Sequence, residues 1–248
     1  MLFEKTLASL GVGAAKIDTR LEKSQVQAGE VLKGEVFIQG GQVEQRVDDI
    51  YLYLIVHYAK NNKLTQHVLR KYQLCERFYL QPGEYKIIPF EIRIPYEAPM
   101  TTGRFPAYLK TGLDIKNAID PTDKDKIEVF PHPTVERMLG EIEKADFILY
   151  RIDNEYEKDM KPHPFLQVFQ FRPTGRYHGF LDELNLIFDV TNHDVRMDVE
   201  IVRGTRVLTS CFHWLLSDPN GTLVMDNGIE QQRVSSPVEI IQSLLKKN

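Results

Sequence analysis

The chain has 248 residues, 42% hydrophobic and 27% charged, with a formal net charge of −4. This composition belongs to a folded globular protein and excludes general disorder. No basic run exceeds two residues, as at Lys246-Lys247, so nothing here makes a nucleic-acid or anionic-lipid surface.

The first residues carry Leu2, Phe3, Leu7 and Leu10 on one side of a predicted helix that Gly11 and Gly13 end. With Lys5 as its one cation, this helix is expected to dock on the protein itself or on a partner rather than on lipid. It lacks the basic region and long apolar core of a secretory signal, and no window approaches the roughly 18 apolar residues of a bilayer span. A cytoplasmic protein without integral membrane association is expected. Cys75 and Cys211 then read as buried free thiols of a reducing compartment.

From Lys16 the hydrophobic period changes to two. Strands are predicted at 16–22, at 32–38 with Leu32, Gly34, Val36 and Ile38 inward, and at 50–58, where Tyr51, Tyr53 and Ile55 suggest cover on both faces. Asn61-Asn62 closes the third. A strand over 68–80 leads into the turn Gln81-Pro82-Gly83-Glu84, where proline fixes φ and glycine accepts a positive one. In the strand over 87–94, Pro89 cannot donate a ladder hydrogen bond, which implies an edge or a bulge. Strands at 105–115 and 127–130 complete a seven-strand antiparallel sandwich pattern without helical crossovers.

Pro131-His132-Pro133 marks a boundary, giving domains 1–131 and 132–248. Proline suits the first helical turn, and Val135, Met138, Leu139 and Ile142 form the buried stripe of an interdomain helix. Strands resume at 147–152, 165–171, 184–190 and 195–202, Asn192-His193-Asp194 being a hairpin turn. A further hairpin crosses Asp218-Pro219-Asn220-Gly221, and Ser236-Pro237-Val238-Glu239 caps a C-terminal helix.

Candidate chemistry is sparse. Asp114, Asp120, Asp123 and Asp125 are close in sequence, but Asp125 stands where an EF-hand needs glycine and Pro131 where it needs glutamate, so a capped turn is expected instead of calcium. His132 and His163 lie between prolines and read as surface or hinge histidines. No zinc spacing, nucleophile elbow or phosphate loop is found. Tyr150, Tyr156, Tyr177 and His178 are expected to be packing residues.

The ordered motifs carry a resemblance. Gly29-Glu30-Val31 with Gly34-Glu35-Val36, then Leu80-Gln81-Pro82-Gly83-Glu84 leading into Pro89-Phe90-Glu91-Ile92-Arg93-Ile94-Pro95, is similar to the N-terminal arrestin pattern. Leu7-Ala8-Ser9-Leu10-Gly11-Val12-Gly13, Leu113-Asp114-Ile115, Ala118-Ile119-Asp120 through Pro131-His132-Pro133, and Pro164-Phe165-Leu166-Gln167 resemble the bacterial sporulation-control proteins of the stage-zero M type, over residues 1 to about 190. The resemblance implies two arrestin-like antiparallel β-sandwich domains, no cofactor, and a regulatory role in sporulation or a related developmental programme. The sparse chemistry and the long alternating strands, whose edges can receive a partner's strand, lead to the expectation of a non-enzymatic adaptor that binds proteins, with a homodimer as one option. By analogy with arrestins, a polar cluster between the domains sets their angle, and Asp114 and Asp120 are its nominees. The competing reading is a small-molecule or carbohydrate-binding β-sandwich, supported by the 10% aromatic content including Trp214.

Overall fold

The structure, a computed structural model, describes residues 14–116, 120–216, 223–225 and 236–246. The expected helix with Leu2, Phe3, Leu7 and Leu10 lies outside the described residues, as does the turn Asp218-Pro219-Asn220-Gly221. The first half contains β1 (Lys16–Leu21), β2 (Gln25–Gln27), β3 (Val31–Gln39), β4 (Gln45–Lys60), β5 (Lys63–Cys75), β6 (Phe78–Leu80), β7 (Tyr85–Arg93), β8 (Ala107–Ile115) and β9 (Thr122–Phe130). In β3 the alternation is as read: Leu32, Gly34, Val36 and Ile38 are buried while Lys33 and Glu35 face water. The sheet β1-β3-β7 shares one apolar core with a larger sheet centred on β4, which β5 and β6 flank on one side and β8, β9 and β2 on the other.

Two boundaries differ from the sequence reading. The fifth strand begins at Lys63, not at 68, because Asn61 and Asn62 both adopt positive φ (50° and 61°), the backbone of a tight two-residue hairpin. It stops at Cys75, with β6 resuming at Phe78. The short β2, whose one apolar residue is Val26, pairs parallel to β9. Pro89 does sit on an edge, since β7 pairs with β3 alone among the described residues. In the turn before β7, Glu84 N donates to Gln81 O at 3.1 Å and Gly83 has φ 69°.

Pro133 opens α1 (Pro133–Lys144), and His132 Nδ1 accepts from Thr134 N at 3.3 Å to cap it. Val135, Met138, Leu139 and Ile142 are buried. Then β10 (Phe147–Tyr156), β11 (Phe165–Pro173), β12 (Glu183–Val190), β13 (Asp194–Arg203), β14 (Arg206–Leu215) and β15 (Leu223–Met225) pair antiparallel, each with the next. The final helix, α2 (Pro237–Lys246), is capped by Ser236, whose Oγ accepts from Val238 N at 3.2 Å. The second core gathers Phe147, Phe171, Leu184, Met197, Phe212 and Trp214 with the α1 stripe and with Ile240 and Ile241. The described strands of this half lie in one sheet, and the two helices contribute to the same core. That sheet runs on into the first half through one parallel bridge, Glu155 beside Ala59.

The acidic run is also placed. Asp120 Oδ1 caps Ile115 N at 3.0 Å, as a turn carboxylate should. Asp123 and Asp125, however, stand on β9 rather than in a turn, and Asp123 Oδ2 accepts from Thr19 N at 2.7 Å, tying β9 to β1. Among the described residues, no three potential ligands come together to hold a metal ion. Burial, then the neighbouring Asp123 and Asp18, pushes Asp125 from an ordinary 3.8 up to about 6. The folded state therefore favours the protonated acid and loses stability as pH rises from about 4 through 6.

Three outcomes follow from this packing. Asp125→Asn raises the unfolding free energy at about pH 7.5, by roughly 1 kcal/mol, and leaves it unchanged near pH 4, as read by urea denaturation. A methyl group at position 34 would lie 2.6 Å from Arg20 O and 2.7 Å from Phe90 Cζ, so Gly34→Ala costs about 1–3 kcal/mol in the same measurement. Burial, ahead of the bond the thiol donates to Asp198, pushes Cys211 from 9 up to about 11. Native Cys211 accordingly alkylates about a hundredfold more slowly at pH 8 than it does in urea, by mass spectrometry.

Candidate functional site at the junction of the two halves

Buried polar groups concentrate where β4 meets β10. Residues 54–58 of β4 are buried on both faces, because the far end of this strand lies beside the second half. Asn154 of β10, 1% exposed, donates its Nδ2 to His57 O at 2.8 Å. Its Oδ1 accepts from Gln167 Nε2 of β11, also at 2.8 Å. Gln167 in turn clasps the backbone of Met100 in the loop between β7 and β8: Nε2 donates to Met100 O and Oε1 accepts from Met100 N, both at 2.9 Å. His57 is 5% exposed, and its Nδ1 donates to Pro106 O at 2.7 Å. Unlike an apolar contact, each of these bonds fixes a direction as well as a distance.

Beside this network lies the carboxylate of Asp153, 3% exposed. It accepts from Arg104 Nη1 of the first half at 2.7 Å and forms an ion pair with Arg151 of its own strand. A buried carboxylate needs such partners, since burying it alone costs several kcal/mol.

Next along the junction is an aromatic cluster. Tyr58 of β4 stacks on Phe165 of β11 (5.5 Å, 12°) and on Tyr156 of β10 (6.1 Å, 20°). His67 Nε2 of β5 lies 3.0 Å from His163 Nδ1 in the loop between β10 and β11, and His163 Nε2 lies 3.7 Å from Glu97 Oε1. Arg70 Nη2 donates to that same Glu97 oxygen at 3.2 Å. Burial, then His163, lowers the pKa of His67, while the His163 ring beside it holds Glu97 below the ordinary carboxylate range. A cavity of about 230 Å³ opens alongside, lined by Tyr96, Met100, His132, Phe169, Phe188 and Arg196 among others.

Asp114 and Asp120 are elsewhere. Both are exposed, and Asp114 pairs across from Asp49 near the start of β4, some ten residues and about 30 Å from the bridge at Ala59. Asp114, Asp120 and Asp49 together raise the pKa of Tyr51, after burial, so they form an electronegative patch of the first half rather than a link to the second. The groups between the halves are instead Asp153, Asn154, Gln167, His57, Met100 and Arg104. Their sequence signal was adjacent polar residues, Asp153-Asn154, at the end of an apolar strand run, and a lone amide, Gln167, inside another. His163, with its side chain 14% exposed in the loop between β10 and β11, is held among aromatic rings, and His132 serves as a helix cap. Tyr156 and Tyr177 pack as expected; Tyr150 and His178 are exposed, with Arg172 over the Tyr150 ring. Among the described residues, no helix is long and apolar enough to cross a membrane.

The likeness to known proteins is extensive. The sporulation-control protein spo0M of Bacillus subtilis (strain 168) is 35% identical over 226 residues, which cover 87% of this chain and 86% of that one. The crystal structure of Spo0M from Bacillus subtilis matches with a TM-score of 0.78 at 29% identity, covering 95% of this chain and 99% of the other. The match thus extends past the region of about 190 residues in which the sequence motifs were found. The family model described as SpoOM protein matches residues 3–205, and the chain belongs to that family.

Proposed function

We propose that this chain regulates sporulation, or a related developmental programme, as a non-enzymatic cytoplasmic adaptor with two arrestin-like halves, and that it acts by binding other proteins. The printed role of its Bacillus subtilis relative, a sporulation-control protein, supports the regulatory part. The observation that carries the binding part is a pair of open edges on the first half. β5 pairs with β4 alone and β7 with β3 alone among the described residues, and Tyr72 Oη donates to Arg93 O at 2.6 Å to hold the two edges together. Their exposed apolar side chains are Leu64, Val68, Tyr85 and Ile87, with Tyr79 of β6 close in sequence. Such edges receive an added strand, main-chain bonds giving affinity and side chains giving selectivity. The junction network keeps the halves at one angle, so that both edges and the cleft present a fixed shape.

Expressed in a Bacillus subtilis strain lacking its own spo0M, the chain restores normal sporulation control, and Ile87→Lys, a charge placed on the open edge, abolishes the restoration without lowering the melting temperature. A soluble wild-type chain that restores nothing contradicts the regulatory reading; an active Ile87→Lys contradicts the edge. Arg104→Ala, which strips Asp153 of its partner in the first half, costs about 1–3 kcal/mol in urea denaturation, whereas Asp114→Asn stays within about 0.5 kcal/mol of wild type.

A further inference from the structure

We propose that the loop joining β10 to β11, residues 157–164, is a strap that the His67–His163 hydrogen bond holds against β5 at neutral pH and that mild acid releases. The strap is pinned at its C-terminal end: Glu157 N donates to Pro164 O at 3.0 Å, and the His163 ring stacks on Phe165 (6.1 Å, 24°). His67 meets His163 edge-on at 5.1 Å and Phe165 at 5.8 Å, so the two imidazoles occupy an aromatic recess and not open solvent. The side chain of His163 is only 14% exposed.

The logic of the pair is one of donors and acceptors. Two neutral imidazoles share one hydrogen bond, since one nitrogen donates and the other accepts. A single added proton is tolerated: the charged ring donates across the 3.0 Å contact and its neutral partner accepts. A second proton leaves no acceptor and sets two cations 3.0 Å apart. The surrounding charges do not undo this. Glu97 faces His163 from the loop after β7 but is already shared with Arg70 of β5. Lys60 of β4 is turned onto the Tyr156 ring. Asp189, Arg196 and Asp198 line the cavity on the side of β12 and β13, with Arg196 paired to Asp198. The strap itself contributes Glu157, Lys158, Asp159 and Lys161. Burial keeps His67 below its ordinary 6.5, so closure is fully favoured above that pH and weakens as pH falls through and below it.

Release would uncover the stacked faces of Phe165 and Tyr58 while the bonds of Asn154 and Gln167, which do not titrate in this range, keep the halves together. The inference is independent of any role in sporulation.

Hydrogen exchange by mass spectrometry, corrected for the intrinsic pH dependence of amide exchange, tests it on the full chain. Between about pH 7.5 and pH 5, exchange in residues 157–164 rises about tenfold in wild type. In His67→Gln, whose amide still donates to His163 Nδ1 but carries no charge, it stays low. Nitrogen-detected NMR of the wild-type imidazoles keeps the test open if the variant misfolds: the two rings take up protons in separate steps, and the strap signals broaden or shift only with the second. Unchanged exchange in wild type, release of folded His67→Gln at the wild-type pH, or strap opening with the first proton overturns the proposal.

Discussion

The side chain of Asn154 is the point on which the arrangement of this protein rests. Buried between two bodies of strands, an amide must satisfy both its donor and its acceptor or cost a few kcal/mol. Asn154 does so only while His57 and Gln167 are in place, and Gln167 only while Met100 lies across from it. The bond chain thus crosses from the first half to the second and back. A displacement of either half by even an ångström breaks several bonds at once, and apolar packing alone has no such directional demand. Asp153 adds a charge-assisted arm to Arg104 on the same strand.

This constraint explains why one parallel bridge suffices between β4 and β10. A single pair of residues makes a weak ladder, but here it sits at the centre of a polar network on one side and a stack of Tyr58, Phe165 and Tyr156 on the other. The two hydrophobic cores remain separate clusters, one under β4 and the other under the second sheet and its helices. Each half has its own source of stability, and the junction determines shape. For a protein proposed to work by presenting edges and a cleft to a partner, that division is apt: the junction's directional bonds hold the recognition surface in one shape.

Much of the fold was legible because period-two alternation is a direct record of a half-buried strand. Leu32, Gly34, Val36 and Ile38 point inward as read, and Pro89 lies on an edge because a missing N–H excludes it from a central position. Pro133 and the Val135–Met138–Leu139–Ile142 stripe gave α1 almost to the residue. What escaped has physical reasons. β2 has three residues and one apolar side chain, too little for a periodic signal. The first residues of β5, Lys63 to His67, are mostly polar and leave even Leu64 exposed, so the hairpin at Asn61-Asn62 resembled a longer break. The second half alternates as strands should, yet alternation does not say whether the inner face meets a second sheet or helices. The junction was missed for a related cause: Asp153 and Asn154 look like the polar end of a strand, and only a long-range contact buries them. Asp114 and Asp120, drawn from an analogy, are exposed, and among the described residues no strand of the second half pairs with that end of β4.

The most direct test is the distance between the halves. Spin labels on exposed positions of each, Tyr85→Cys and Val207→Cys with Cys75 and Cys211 replaced by serine, report it by pulsed electron resonance. The account predicts one narrow distance distribution, and a broad one when Asn154 is changed to alanine while each half keeps its strand signature in circular dichroism. A broad distribution in the otherwise native chain, or one that Asn154→Ala leaves narrow, would contradict it.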